Sequence, residues 1–405
     1  MRVAIPLAAL AAEGSSLPGV PAYRYEPIPG DAHAYYWTAR ELLAAVGRLD
    51  VVWPTLAVVL VAAALVAAYR LRGRPWAPLL PTALVSVGVA LLIVGEVRGS
   101  GAPSVGWPLA WSGGLAAQAA LGISIAPDDA FPVGLVISLA AVAASVVAIG
   151  IVGRRAAGRA VIGLLAAALF AFWPLIETLV AGPSARENGT WLVETGLHMY
   201  SEPLSIALVL ISLALLMDER RASGSILVWA GIAIGAAATV RVSNAMLAAA
   251  AVLVLLRQDG FRPAARYAAG ALAVAPIAVA YWPKGYPALL ENTELFKEPP
   301  FALSYAARTW GEMAYLSPRA LLVLVPLALV GALALRGRRA LPLLVLWAVL
   351  EPLFYTFYYV AWTTPRFVLA SLSVTFVLVA AGLTFVGDAA AARTGLRLPR
   401  RSTAY

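Results

Sequence analysis

The chain has no cysteine, only two histidines and only two lysines among its 405 residues. Without cysteine there is neither a disulfide nor a thiolate-held metal, and the redox character of the compartment leaves no mark on the sequence. His33 has no second ligand at helical spacing, so it reads as a hydrogen-bonding wall residue, and a zinc site is not expected. Charge is scarce as well. Charged residues make up 13% of the chain, against about a quarter in soluble domains, which excludes an ordinary soluble fold. The alternation of a membrane β-barrel is missing, and there is no internal repeat.

What fills the chain is apolar. Hydrophobic residues make up 61% of it and the mean hydropathy is +0.83. They come in runs of about 16–22 residues, which at ~1.5 Å per helical residue cross or nearly cross a ~30 Å hydrocarbon layer. Spanning segments are expected near 3–13, 51–69, 77–97, 132–152, 160–182, 202–217, 225–240, 244–257, 266–282, 319–335, 340–357 and 366–387. The expectation is an all-α polytopic membrane protein of about twelve transmembrane helices, within a range of about eleven to thirteen.

The formal charge of +9 is distributed in a way that argues against nucleic acid as a partner. Basic residues cluster in short linkers: "YRLRGRP", "GRRAAGR", "DERRASG", "RQDGFRPAAR", "LRGRRA" and the tail within 388–405. These hold more than half of all Lys and Arg, with only Asp218, Glu219, Asp259 and Asp388 among them. They alternate along the chain with longer, aromatic linkers at 14–50, 98–131, 183–201, 283–318 and 358–365. The positive-inside rule makes the basic set cytoplasmic. Both termini then lie inside, the long loops outside, and 1–405 forms one integral domain of a plasma membrane. That alternation needs residues 1–13 as a short first helix, although a truncated helix or a signal peptide fits "MRVAIPLAALAAEG" too. Parts of 105–123 and 299–316 look amphipathic and are expected as interfacial helices.

Ionisable residues in or beside membrane segments are costly and therefore candidates for function. The external helix ends collect Asp31, His33, Glu177, Glu202, Arg241, Glu351 and Arg366, while both lysines, Lys284 and Lys297, fall in one external loop. For each, a plain interfacial or capping role competes. Asp31 fits the start of a helix carrying Tyr35, Tyr36 and Glu41; Glu202 fits a helix N-terminus with Ser201 as its cap. Arg241 and Asn244 separate two short segments and are expected to line a cavity below the outer surface. Asp128 and Asp129 fit a helix-start turn before Pro132 first, with a second acidic element or a divalent-cation site as the alternative.

Four pieces, in this order, carry a resemblance: "GDAHAYYWTARELL", "YSEPLSIALVLISLALLM", "GIAIGAAATVRVSNAMLAAAAVLVLL" and "TTPRFVLASLSVTFVLVAAGL". Together the chain resembles the polyprenyl-phosphate-dependent membrane glycosyltransferases of the GT-C superfamily. It departs from them in its short first segment, in the lack of an acidic neighbour beside Asp31, and in having no large soluble C-terminal domain within these residues.

The resemblance implies transfer of a sugar from a polyprenyl-phosphate carrier to a glycan, lipid or protein hydroxyl on the outer face, with inversion. It implies Asp31 as general base. A departing phosphate needs cations, for which Arg241, Arg366, Lys284 and Arg308 are the candidates. His33, Tyr35, Tyr36, Glu202, Asn244, Trp310 and Tyr359 would shape the substrate pocket. No cofactor is implied beyond the divalent cation left open at Asp128 and Asp129. The rival readings are a twelve-helix secondary transporter, which places ionisable groups at the midplane in related halves, and a polymerase or ligase of lipid-linked glycans.

Overall fold

The computed structural model describes residues 31–47, 52–97, 102, 104–181, 201–218, 224–292, 301–307, 309, 318–358 and 368–393. Among them are thirteen α-helices, and the only extended pairing is one antiparallel bridge between Phe301 and Tyr358. In chain order they are α1 (Asp31–Gly47), α2 (Val52–Leu71), α3 (Leu79–Glu96), α4 (Gly106–Ala120), α5 (Pro127–Ala157), α6 (Ala160–Ala181) and α7 (Glu202–Leu216). There follow α8 (Ser225–Val240), α9 (Asn244–Asp259), α10 (Phe261–Asn292), α11 (Pro318–Ala334), α12 (Leu341–Thr356) and α13 (Leu369–Arg393).

Eleven of the expected segments coincide with helices; the twelfth, 3–13, lies outside the described residues. Four helical stretches are long and apolar enough to cross a membrane: Pro54–Leu71, Ala130–Ala157, Phe261–Gly285 and Leu369–Arg393. Six more are apolar but shorter. A helix of fifteen or sixteen residues, such as α7 or α8, rises only ~24 Å. The outward faces are apolar. On α2, Val59, Leu65 and Val66 are exposed while the small Ala57 and Ala64 are buried. Large apolar side chains outward and small ones inward is the pattern of a helix facing lipid. The chain is a helical membrane protein.

Close helix packing rests on glycine. A Cβ on Gly231 of α8 would lie 2.0 Å from the Tyr267 carbonyl oxygen of α10, and one on Gly270 would lie 2.2 Å from that of Val228. Each helix therefore presents a bare backbone to the other, as small-residue contacts in membranes do. The same device joins α11 and α13 through Gly331 and Gly382.

Two apolar clusters organise the interior. The larger joins α5 through α13, with Ala264 and Tyr267 contributed by α10. The second gathers α1 and α4 onto α3, α10, the start of α5 and the end of α8. In α4, Gly106, Trp107, Trp111, Leu115 and Gln118 share the buried face. Residues expected as an amphipathic interfacial helix thus form a helix whose large side chains pack into the protein and whose exposed positions include Gly113, Ala116, Ala117, Ala119 and Ala120. Within 299–316, the described residues are 301–307 and 309, with Phe301 in the bridge to Tyr358 and a short helical turn at 305–307.

The expected external loop 283–318 begins later than the sequence suggests, because α10 continues to Asn292. Two contacts hold the extension. Tyr281 donates to the Ala102 carbonyl at 2.8 Å, and Lys284 reaches the end of α3.

Basic linkers meet at one end of the bundle. Arg155 bridges Asp218 at 2.6 Å and also donates to the Ala214 carbonyl; Arg159 bridges Asp388; Arg339 pairs with Asp259. The ends of α5, α7, α9 and α13 and the α11–α12 turn are tied together here. Glu202, Arg241, Asn244 and Tyr355 occupy the opposite ends of their helices.

Candidate functional site

Arg241 follows the last residue of α8 in extended conformation (φ −146°, ψ 116°) and turns the chain into α9. Its backbone neighbour Val242 is exposed, whereas Asn244 is fully buried. The turn therefore points Ser243 and Asn244 inward.

The Arg241 guanidinium is the centre of a buried network. Nη1 donates to Glu202 Oε1 at 2.5 Å, and Nη2 donates to the Tyr355 hydroxyl at 2.9 Å. Tyr355 in turn donates to Ser243 Oγ at 3.0 Å. Side-chain exposure is 11% for Arg241 and 5% for Glu202, so this ion pair is largely withdrawn from water. Burial opposes the Arg241 charge; Tyr355, Glu202 and Glu351 around it outweigh burial and hold the group above its ordinary range. The result is a fixed, charged guanidinium with its plane set by a carboxylate on α7 and a phenol on α12.

Glu202 is the first residue of α7, and Ser201 makes no side-chain cap bond. Ser201 thus stands at the N-cap position without a side-chain cap bond, and Glu202 is both the acidic residue of the first turn and the partner of an arginine across the bundle. Asn244 ties three helices: its Nδ2 donates to Ser205 Oγ at 2.8 Å and to the Ala237 carbonyl at 2.9 Å. Its Oδ1 is buried with no partner among the described residues. Glu351 accepts from the Ser371 backbone N–H at 3.0 Å, close to the start of α13. It satisfies a first-turn donor of a neighbouring helix, the task an N-cap performs locally.

Other expected residues fall as follows. Asp31 is the first residue of α1. Tyr35 and Tyr36 are buried, while His33 and Trp37 reach the surface with ring centroids 6.1 Å apart. Tyr36 donates to the Ile125 carbonyl at 2.8 Å and packs on Trp111. So two of the aromatics expected to shape a pocket are fold residues. Lys284 Nζ donates to the carbonyls of Ile93, Val94 and Val97 at 2.5, 2.7 and 2.5 Å. An ammonium has three protons, and these carbonyls take them; the lysine expected to meet a phosphate closes the C-terminus of α3. Asp128 and Asp129 lie in the first turn of α5. No cluster of three or more potential metal ligands occurs among the described residues. Arg308, Trp310, Tyr359 and Arg366 lie outside the described residues.

Helix α1 and the chain leading into Arg241 are linked through α4. Ser104 donates to the Val240 carbonyl at 2.6 Å, and a Cβ on Gly106 would meet Thr239 and Val240 at 2.5–2.6 Å. The start of α4 therefore rests on the residues leading into Arg241. The apolar cluster holding Ala32 and Tyr35 also holds Trp107, Trp111 and Val240, with Leu204 packed against it. Helix α1 is thus carried on α4 above the end of α8 and the start of α7.

Tyr355 and Ser243 were not among the candidates. Tyr355 had a signal: it stands four residues after Glu351, on the same helical face. Ser243 stands between Val242 and Asn244, two residues after Arg241 in "RVSN". No family model, curated protein or solved structure matches the chain, so the site is read from its own chemistry.

Proposed function

We propose that the chain is a twelve-span membrane glycosyltransferase of the GT-C type. It moves a sugar from a polyprenyl-phosphate donor to an acceptor hydroxyl, with inversion, at the end of the bundle holding Asp31, Glu202 and Arg241. The observation that carries the reading is the buried Arg241, fixed by Glu202 and Tyr355 at a break between two helices. A prepositioned cation in a low-dielectric site suits the charge that grows on a departing phosphate. In this reading the acceptor oxygen attacks the anomeric carbon from the face opposite the phosphate. Its proton passes to the Asp31 carboxylate, and the electrons of the breaking C–O bond leave with the phosphate.

Arg366 and Arg308 join Arg241 as phosphate ligands in the proposal, and Glu202 positions the guanidinium. His33 and Trp37 supply the exposed ring surfaces of α1. The acceptor is a glycan, a lipid or a protein. The basic end faces the cytoplasm of a plasma membrane by the positive-inside rule, which puts the reaction on the outer face.

The test is transfer from a panel of radiolabelled polyprenyl-phosphate sugars by the purified full chain, beside Asp31→Asn and Arg241→Gln. Transfer by the wild type, lost in a folded Asp31→Asn, supports the assignment of the base. Solute accumulation in proteoliposomes, with neither donor binding nor transfer, would replace the transferase with the transporter.

A further inference from the structure

At the basic end, away from Arg241, a cavity of about 460 Å³ opens between α5, the end of α7 and the α11–α12 turn. Its charged lining is Arg155, Arg338, Arg339 and Asp218; Ala156, Leu216 and Leu343, all buried, form an apolar floor. The three guanidiniums are not equivalent. Arg155 is engaged by Asp218 and the Ala214 carbonyl, and Arg339 by Asp259. Arg338, exposed beside Gly158, has no ion-pair partner among the described residues.

We infer that this cavity binds a phosphate group carried on a partly apolar body. With Arg155 paired to Asp218 and Arg339 to Asp259, Arg338 leaves the lining with an unbalanced positive charge. Arginine forks match phosphate oxygens in geometry, and the apolar floor suits a glycerol or acyl portion rather than a bare ion. Basic recesses between membrane helices take lipid head groups in this way. The inference stands whether or not the opposite end is a transferase.

The full chain in non-ionic detergent is titrated with short-chain phosphatidylglycerol, short-chain phosphatidylcholine and glycerol 3-phosphate while its unfolding temperature is followed. Phosphatidylglycerol should raise that temperature saturably, and phosphatidylcholine should not. Arg338→Gln should weaken the phosphatidylglycerol response about tenfold or more, the scale of a lost charge-assisted contact. Arg72→Gln, removing an exposed cation outside the lining, should leave it unchanged. A glycerol 3-phosphate response equal to that of the lipid identifies a soluble phosphate ester as the source; no such response identifies the lipid. The inference is overturned if phosphatidylcholine acts equally, if neither phosphate compound acts, or if Arg338→Gln responds like the wild type.

Discussion

Arg241 and Glu202, 39 residues apart in sequence, face each other across two helices at 2.5 Å with little access to water. The pair has a consequence for stability separate from any chemistry. Taking two charges out of water is expensive, and removing one partner leaves the other without its compensation. Glu202→Gln should therefore destabilise the chain by about 3 kcal/mol, the lower part of the range for breaking buried pairs. A lowered unfolding temperature in detergent checks this. An unfolding temperature equal to the wild type would mean that Tyr355 and Glu351 suffice to hold the guanidinium.

Tyr355→Phe isolates orientation from charge. It deletes the oxygen that accepts from Arg241 Nη2 and donates to Ser243 Oγ, while keeping the ring. In the proposed transferase the expected result is an about tenfold fall in kcat, roughly 1.4 kcal/mol of transition-state stabilisation. Donor KM should move little. Steady-state kinetics with a polyprenyl-phosphate sugar read both; a raised KM with unchanged kcat would make Tyr355 a ground-state contact instead.

The positions of the helices were legible because apolar runs of this length leave the backbone few alternatives in lipid. Alternation of basic and aromatic linkers also foretold that Arg155, Asp218, Arg339 and Asp259 would share one end, and their ion pairs occur there. Arg241 and Glu202 could be singled out because each is a costly charge in an apolar setting. Their pairing could not: it depends on how α7 and α8 rotate about their axes, which composition leaves undetermined. Tyr35 and Tyr36 show the same limit, since an aromatic stripe reads alike whether it meets substrate or the Trp111 ring. The sequence places Lys284 in an external loop because the apolar run of 266–282 ends before it. The helix continues through it, anchored by the carbonyls at the end of α3.

That anchoring yields a prediction of its own. Lys284 supplies protons to carbonyls in the last turn of α3 and just beyond it, and a cation there also complements the helix dipole. Lys284→Met should fray α3 at 93–97, read as faster amide hydrogen exchange in that stretch alone. Unchanged exchange would show that the end of α3 holds without the ammonium.

The contact between α8 and α10 is among the closest helix packings in the structure. Gly231→Ala puts a methyl group 2.0 Å from the Tyr267 carbonyl oxygen, and that neighbour is helix backbone, not a side chain able to swing aside. The helices must separate, and the cost of such overpacking is about 1–3 kcal/mol or more. Gly387→Ala provides the contrast, because a Cβ there meets nothing within 4 Å. It sits in the helix α13, where alanine is preferred to glycine by about 1 kcal/mol. The expected pair of outcomes is a lowered unfolding temperature for Gly231→Ala and an unchanged or slightly raised one for Gly387→Ala. If the two variants unfold alike, the close approach of α8 and α10 is not what holds this part of the bundle together.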